Sequence, residues 1–251
     1  MELIHETSRM RQTTTSLLFI LLATGSVMAQ DDFFSRADQF FKKYQINNRI
    51  NYKFLDQNVG TLDTLVSLID GMRTDTLDQV TRKAFYVNAY NLLVIKGVID
   101  HYPFSNMLEV PGFFKTQKFN VAGERLTLDE IEFTKLFADE IDPRLHFVLN
   151  CGAYSCPTLY NEAIKPSEME EQLNFAITLV MDRDDYVYID RENRTIWVSK
   201  IFEWYKEHFE DNGSIRNFIN YHRFTSVPSN FGIKFLEYDW RLNDSNNTAS
   251  E

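Results

Sequence analysis

Ala84 to Ile95 reads AFYVNAYNLLVI, a run that is apolar in every direction around a helix except at Asn88 and Asn91. A helix without a polar face has nothing to offer water and must pass through the middle of a domain. The flanking sequence extends this helix over 76–101, with a polar first turn and Pro103 just past its end. Asn88 and Asn91 are three residues apart and share a face with Ala84 one turn before and Ile95 one turn after. Buried amides need partners. The pair therefore either satisfies backbone groups of a neighbouring loop or lines a site.

Outward from this helix, Phe33, Ala37, Phe40, Phe41 and Tyr44 fall on one face at helical spacing, and 62–69 forms a second helical pattern stopped at Asp70-Gly71. Two short strand-like runs over 113–126 flank Ala122-Gly123 as a hairpin. Thr127 and Glu130 have capping-box spacing and open a helix to about Ala138, with Glu132 in its second turn. Leu145 to Asn150 reads as a buried strand. Lys165-Pro166-Ser167 leads into a helix to Met181, with a second capping box at Ser167 and Glu170. A hairpin pairs 186–190 with 195–199, helices cover 200–209 and 214–221, and 233–238 is a last strand. Helices dominate and strands come in short groups. This is the pattern of an α+β fold, a mostly helical single domain around a small antiparallel or mixed sheet with short hairpins, and not of a doubly wound sheet.

With 251 residues and 44% apolar content the chain can bury one ordinary core. Its net charge of -10 argues against nucleic-acid partners, which need clustered Lys and Arg. There is no phosphate loop or dinucleotide fingerprint, so no cofactor is expected. Residues 16–29, SLLFILLATGSVMA, have the length and the small-residue ending of a signal peptide and are too short for a membrane span of ~20 residues. The expected mature protein begins at Gln30, is exported to a periplasmic or secreted location, and ends in a polar, disordered tail over 244–251.

The chemistry-bearing residues concentrate in Asp142–Pro157, DPRLHFVLNCGAYSCP. On a strand, His146, Val148 and Asn150 share one face, and Cys151, ~16 Å away at ~3.3 Å per residue, points to the other. The Gly152 turn lets Cys156 fold back toward His146, and Ser155-Cys156-Pro157 resembles a helix start that favours thiolate. Cys156 and His146 are then a nucleophile and base for acyl transfer, with Cys151 in reserve. In an exported protein the same Cys-x4-Cys spacing equally suits a disulfide. A zinc site from His146, Cys151 and Cys156 lacks a fourth ligand and a usual spacing, so no metal is expected. Arg144 either pairs with Asp142 or offers its fork to a substrate carboxylate.

Four blocks, YVNAYN (86–91), LTLDEIE (126–132), DPRLHFVLNCGAYSCP (142–157) and SKIFEWYKEHF (199–209), resemble the domain of unknown function 547 family over roughly Thr76 to Trp240. The resemblance implies that Asn88, Asn91, Glu132, Asp142, Arg144, His146, Cys151, Gly152, Cys156, Lys200 and Trp204 occupy pattern positions. It also marks departures. Phe133 and Leu136-Phe137 stand where such proteins commonly carry histidine and then arginine, and His208 stands where aspartate is usual. The family has no settled activity to pass on.

The functional expectation is a thiol hydrolase or acyltransferase acting on a peptide or amide bond. Cys156 is its nucleophile and His146 its base. Asn150 or Asn88 orients the imidazole or the oxyanion, and Asn91, Glu132 and Arg144 serve as binding residues for an unidentified small molecule or peptide. The rival expectation is a non-catalytic binding or scaffolding domain in which Cys151 and Cys156 form a structural disulfide.

Overall fold

The structure, a computed structural model, describes residues 30–211 and 213–246; the expected signal peptide lies outside the described residues. Helix α1 over 30–44 is followed by the two-residue strands β1 (Gln45–Ile46) and β2 (Arg49–Ile50), then α2 (Tyr52–Asp56), α3 (Gly60–Gly71) and the long α4 (Gln79–His101). The hairpin β3 (Phe119–Val121) and β4 (Glu124–Leu126) leads to α5 (Leu128–Ile131), α6 (Met169–Met181), the strands β5 (Val187–Asp190) and β6 (Thr195–Val198), the short α7 (Ile201–Trp204) and α8 (Lys206–Glu210), α9 (Ile215–His222) and β7 (Gly232–Phe235). Helices dominate. β5 and β6 are antiparallel and β7 joins β6 in parallel, which makes the largest sheet small and mixed.

α4 is the axis, capped at its start by the Asp78 carboxylate accepting the Thr81 amide. Every residue from Ala84 to Ile95 is buried, and α2, α3 and α5 pack around it. The aromatic stripe of α1 and Leu62, Leu65 and Ile69 of α3 lie in the same core. No helix among the described residues is long and apolar enough to cross a membrane.

The first local departures from the sequence expectation fall within Asp142–Pro157. Leu145 to Asn150 is not a strand. Residues Pro143–Phe147 form a 3-10 turn started by Pro143, with the Asp142 carboxylate accepting the Arg144 amide. The chain then runs irregularly to Lys165, so there is no helix start at Pro157. The second capping box is also absent: α6 starts without a side-chain cap, because Glu170 turns to Arg144. The expected single helix over 200–209 breaks at Tyr205 into α7 and α8. The polar tail begins later than composition suggests, since Asn243 and Asp244 are buried and Asn243 donates its amide to the Gly152 carbonyl at 2.7 Å.

Candidate functional site

The two buried amides of α4 act as clamps on loop backbone. Asn91 Nδ2 donates to the Val148 carbonyl at 2.8 Å and its Oδ1 accepts the Asn150 amide at 2.8 Å. Asn88 does the same at Ile164, donating at 2.8 Å and accepting at 2.9 Å. Both side chains are therefore spent on backbone, the first of the two roles open to them from sequence. Asn150 closes the next turn: its Nδ2 donates to the Pro157 carbonyl and its Oδ1 accepts the Gly152 amide, both at 2.9 Å. Asn150 thus points into its own loop and makes no bond to His146. Gly152 sits at φ +78, where a Cβ would also lie 3.2 Å from the Met107 sulfur, so the position needs glycine.

The turn so held brings the cysteines together. Both are free thiols. Their sulfurs are 2.7 Å apart, the Cys151 amide donates to Cys156 Sγ at 2.8 Å, and the Tyr238 hydroxyl lies 3.2 Å from Cys151 Sγ. At such a separation the pair holds one proton between two sulfurs more easily than it holds two. Burial pushes both thiols up, and Cys156 goes well above its ordinary range. Cys151 goes the other way, because hydrogen bonds from Cys156 and Tyr238 outweigh its own burial.

A cavity of about 150 Å³ opens over the pair, lined also by Tyr90, Glu132, His146, Tyr205, Trp204 and Trp240. Glu132 comes from a π-helical turn (Glu132–Leu136) that continues α5, with Phe137 donating its amide to the Glu132 carbonyl. Such one-turn bulges re-aim side chains and are frequent at functional sites. Its carboxyl is 5% exposed, Oε1 has no hydrogen-bond partner, and burial, tempered by the Tyr205 and Tyr90 hydroxyls, raises it to about 7. A carboxyl so placed is neutral or ionised within the physiological range.

His146 lines the same cavity, but its hydrogen bond goes to His208: Nε2 and Nδ1 are 2.9 Å apart, and neither thiol is among its hydrogen-bond partners. The ring lies between Phe137, at a centroid distance of 4.7 Å, and Tyr205, at 3.9 Å. Burial, and then the charge of His208, hold its pKa well below the ordinary value, so it is neutral. Of the departures noted in the sequence, Phe133 packs on Tyr205, and Phe137 and His208 pack on His146 itself. An aspartate at 208 would favour an imidazolium where His208 disfavours it. His208→Asp is therefore expected to raise the His146 pKa by ~1–3 units, read as the pH midpoint of its ring-proton NMR shift; an unmoved midpoint would show that burial alone sets it.

Arg144 is elsewhere. Its guanidinium is bidentate to Asp142 and reaches Glu170 at 2.8 Å, beside a separate cavity with Lys83 and Ser167, so it does not join the thiols. Among the described residues no group of three or more His, Cys, Asp or Glu is placed to hold a metal ion. Trp204 and Tyr205, which from sequence suit a ligand cleft or the core, line the cavity. Tyr90, Tyr238 and Trp240 are site residues that the sequence did not reveal, and only the fold brings them to the cavity.

Searches of curated proteins and of solved structures gave no match. A family model does match, over residues 74–178. That span carries α4, the Glu132 turn, His146 and both cysteines but stops before Tyr205 and His208. Its description is protein of unknown function, DUF547, and it is this family that the segment from 74 to 178 is similar to.

Proposed function

We propose that the cavity is the active site of a thiol-dependent hydrolase or acyltransferase acting on a peptide or amide bond. The observation that supports it is the thiol pair, 2.7 Å between sulfurs, facing a cavity shared with a buried carboxyl held near neutrality. Cys151 is the nucleophile in this reading, with Cys156 and Tyr238 stabilising its thiolate, which exchanges the roles that sequence spacing suggested for the two cysteines. The proton that leaves the pair goes to solvent through the cavity, since His146 is held neutral and bonded to His208. The thiolate adds to the carbonyl carbon, the C–N bond breaks, and neutral Glu132 gives its proton to the departing amine. Water, or an acceptor amine or alcohol, then attacks the thioester; Glu132 takes its proton back, and the thiolate is restored.

Iodoacetamide labelling tests this directly. Cys151 should be alkylated faster than Cys156 at neutral pH, because its thiolate is the favoured one of the pair. Tyr238→Phe should slow the Cys151 reaction. Equal, slow labelling that neither Tyr238→Phe nor His146→Ala alters would remove the activated thiol. The same short separation also favours a second reading, a binding domain whose pair closes to a disulfide at ~2.05 Å. Intact mass before and after reduction separates the two: a mass that rises by two hydrogens marks the bridge, and an unchanged mass marks the dithiol.

A further inference from the structure

The thiol pair carries more hydrogen-bond support than a single nucleophile needs. The Tyr238 hydroxyl lies 3.2 Å from Cys151 Sγ, and Cys156 Sγ accepts the Cys151 backbone amide at 2.8 Å, so each sulfur has a donor of its own when it bears charge. The sulfurs stand 2.7 Å apart, little more than the ~2.05 Å of a disulfide bond. Both thiols are only partly buried. The turn between them is already folded for this approach, with Asn150 accepting the Gly152 amide and Gly152 at φ +78. No part of the turn has to unfold for the sulfurs to bond.

The two sulfurs are not equivalent. Although burial opposes it, hydrogen bonds from Cys156 and Tyr238 hold Cys151 below the ordinary thiol range, whereas burial and the neighbouring Cys151 push Cys156 well above it. One thiol is ready to attack, and the other keeps its proton until the first has reacted. The cavity over the pair measures about 150 Å³, less than the roughly 300 Å³ at which ligand clefts begin. It admits a molecule of a few heavy atoms and no segment of a folded protein. Trp204, Tyr238 and Trp240 line it as one aromatic group, with ring centroids 4.7, 5.6 and 4.8 Å apart, and polarisable sulfur packs well on ring edges.

We infer that Cys151 and Cys156 are a thiol–disulfide exchange centre that reduces small-molecule disulfides. The Cys151 thiolate attacks one sulfur of the disulfide: the Cys151 Sγ–S bond forms, the substrate's S–S bond breaks, and the departing thiolate takes a proton from solvent. Cys156 then gives its proton to solvent and attacks Cys151 Sγ. The Sγ–Sγ bond forms, the mixed disulfide breaks, and the second thiolate leaves and is protonated. In sum two electrons pass from the pair to the substrate, and one disulfide becomes two thiols while the pair becomes a disulfide. A small thiol in excess reverses both steps. The inference goes beyond the amide-bond reading and shares only its nucleophile, since neither Glu132 nor a carbonyl carbon takes part.

The probe is 2-hydroxyethyl disulfide, small and uncharged, added to the full chain after reduction and removal of the reductant. Two equivalents of 2-mercaptoethanol should be released per chain, and the intact mass should fall by two hydrogens. Cys156→Ser should stop halfway, with one equivalent released and the mass raised by one hydroxyethylthio group on Cys151. Cys151→Ser should keep its mass over the same time. Circular dichroism checks the fold of each variant, and where one fails to fold, the thiol released and the mass of the unsubstituted chain still decide. A pair that stays bridged under excess dithiothreitol in the native protein overturns the inference, as does a reduced chain that ignores the probe or stops at the mixed disulfide. Equal reaction of Cys151→Ser and the unsubstituted chain overturns it too. Peptide-amide cleavage is read separately on the reduced, unsubstituted chain. Exchange without cleavage removes only the amide-bond reading, and cleavage without exchange removes only this inference.

Discussion

Asn91→Leu is expected to destabilise the protein by about 4 kcal/mol and to lower its melting temperature by roughly 10 °C. Leucine nearly matches the shape of asparagine, so the cost comes from what is left behind. The Val148 carbonyl and the Asn150 amide, both bound by Asn91, would be buried with no partner, at about 1–3 kcal/mol each. The second consequence concerns the site, because this segment leads directly into Cys151. Released from α4, the loop should let iodoacetamide reach both thiols at similar rates, erasing the preference for Cys151. Asn88→Leu is the matched control. It strips the same kind of clamp from Ile164, beyond the cysteine turn, and should cost similar stability while leaving the labelling preference intact. Thermal denaturation and labelling on the two variants read both effects; a loss under about 1 kcal/mol for Asn91→Leu would show that the loop has other partners for its backbone.

The same clamps explain what the sequence could and could not say. The burial of Ala84 to Ile95 and of the α1 stripe was legible because periodicity is a local property, and every one of those residues is in the core. Leu145 to Asn150 misled because its residue types suit a strand, while a strand also needs a neighbour to pair with. None is present among the described residues, and the Val148 carbonyl and the Asn150 amide are bound instead by Asn91, 57 and 59 residues away. The two asparagines announced themselves as polar residues in an apolar helix, but the identity of their partners is a tertiary fact. The cysteine–histidine neighbourhood was legible as composition, yet the pairing inside it was not. His146 goes to His208, 62 residues on, and the sulfurs go to each other because Asn150 and Gly152 fold the chain tightly between them. Tyr90 and Tyr238 carry no local signal at all, since a tyrosine in a core pattern and one aimed at a cavity have the same neighbours in sequence.

Glu132→Gln is expected to make the protein more stable at alkaline pH and less active at every pH. The native carboxyl titrates at about 7, against an ordinary 4.5. Between those values the folded chain keeps a proton that the unfolded chain releases, so stability falls as pH rises through the window and stays lowered above it. A shift of that size amounts to about 3 kcal/mol at pH 8, and at 5% exposure little of it is screened away. Glutamine carries no charge to desolvate, and the Tyr90 and Tyr205 hydroxyls remain as partners for its amide. The two proteins should therefore melt together near pH 4.5 and diverge by roughly 9 °C at pH 8, with the variant higher. If Glu132 is the acid that protonates the leaving amine, amide cleavage should fall by ~100-fold or more in the same variant. A residue placed for packing would give the opposite result, a loss of stability on substitution at all pH values. A gain in stability joined to a loss of turnover is what a charge buried for its chemistry produces, because the fold bears a cost that only the reaction recovers.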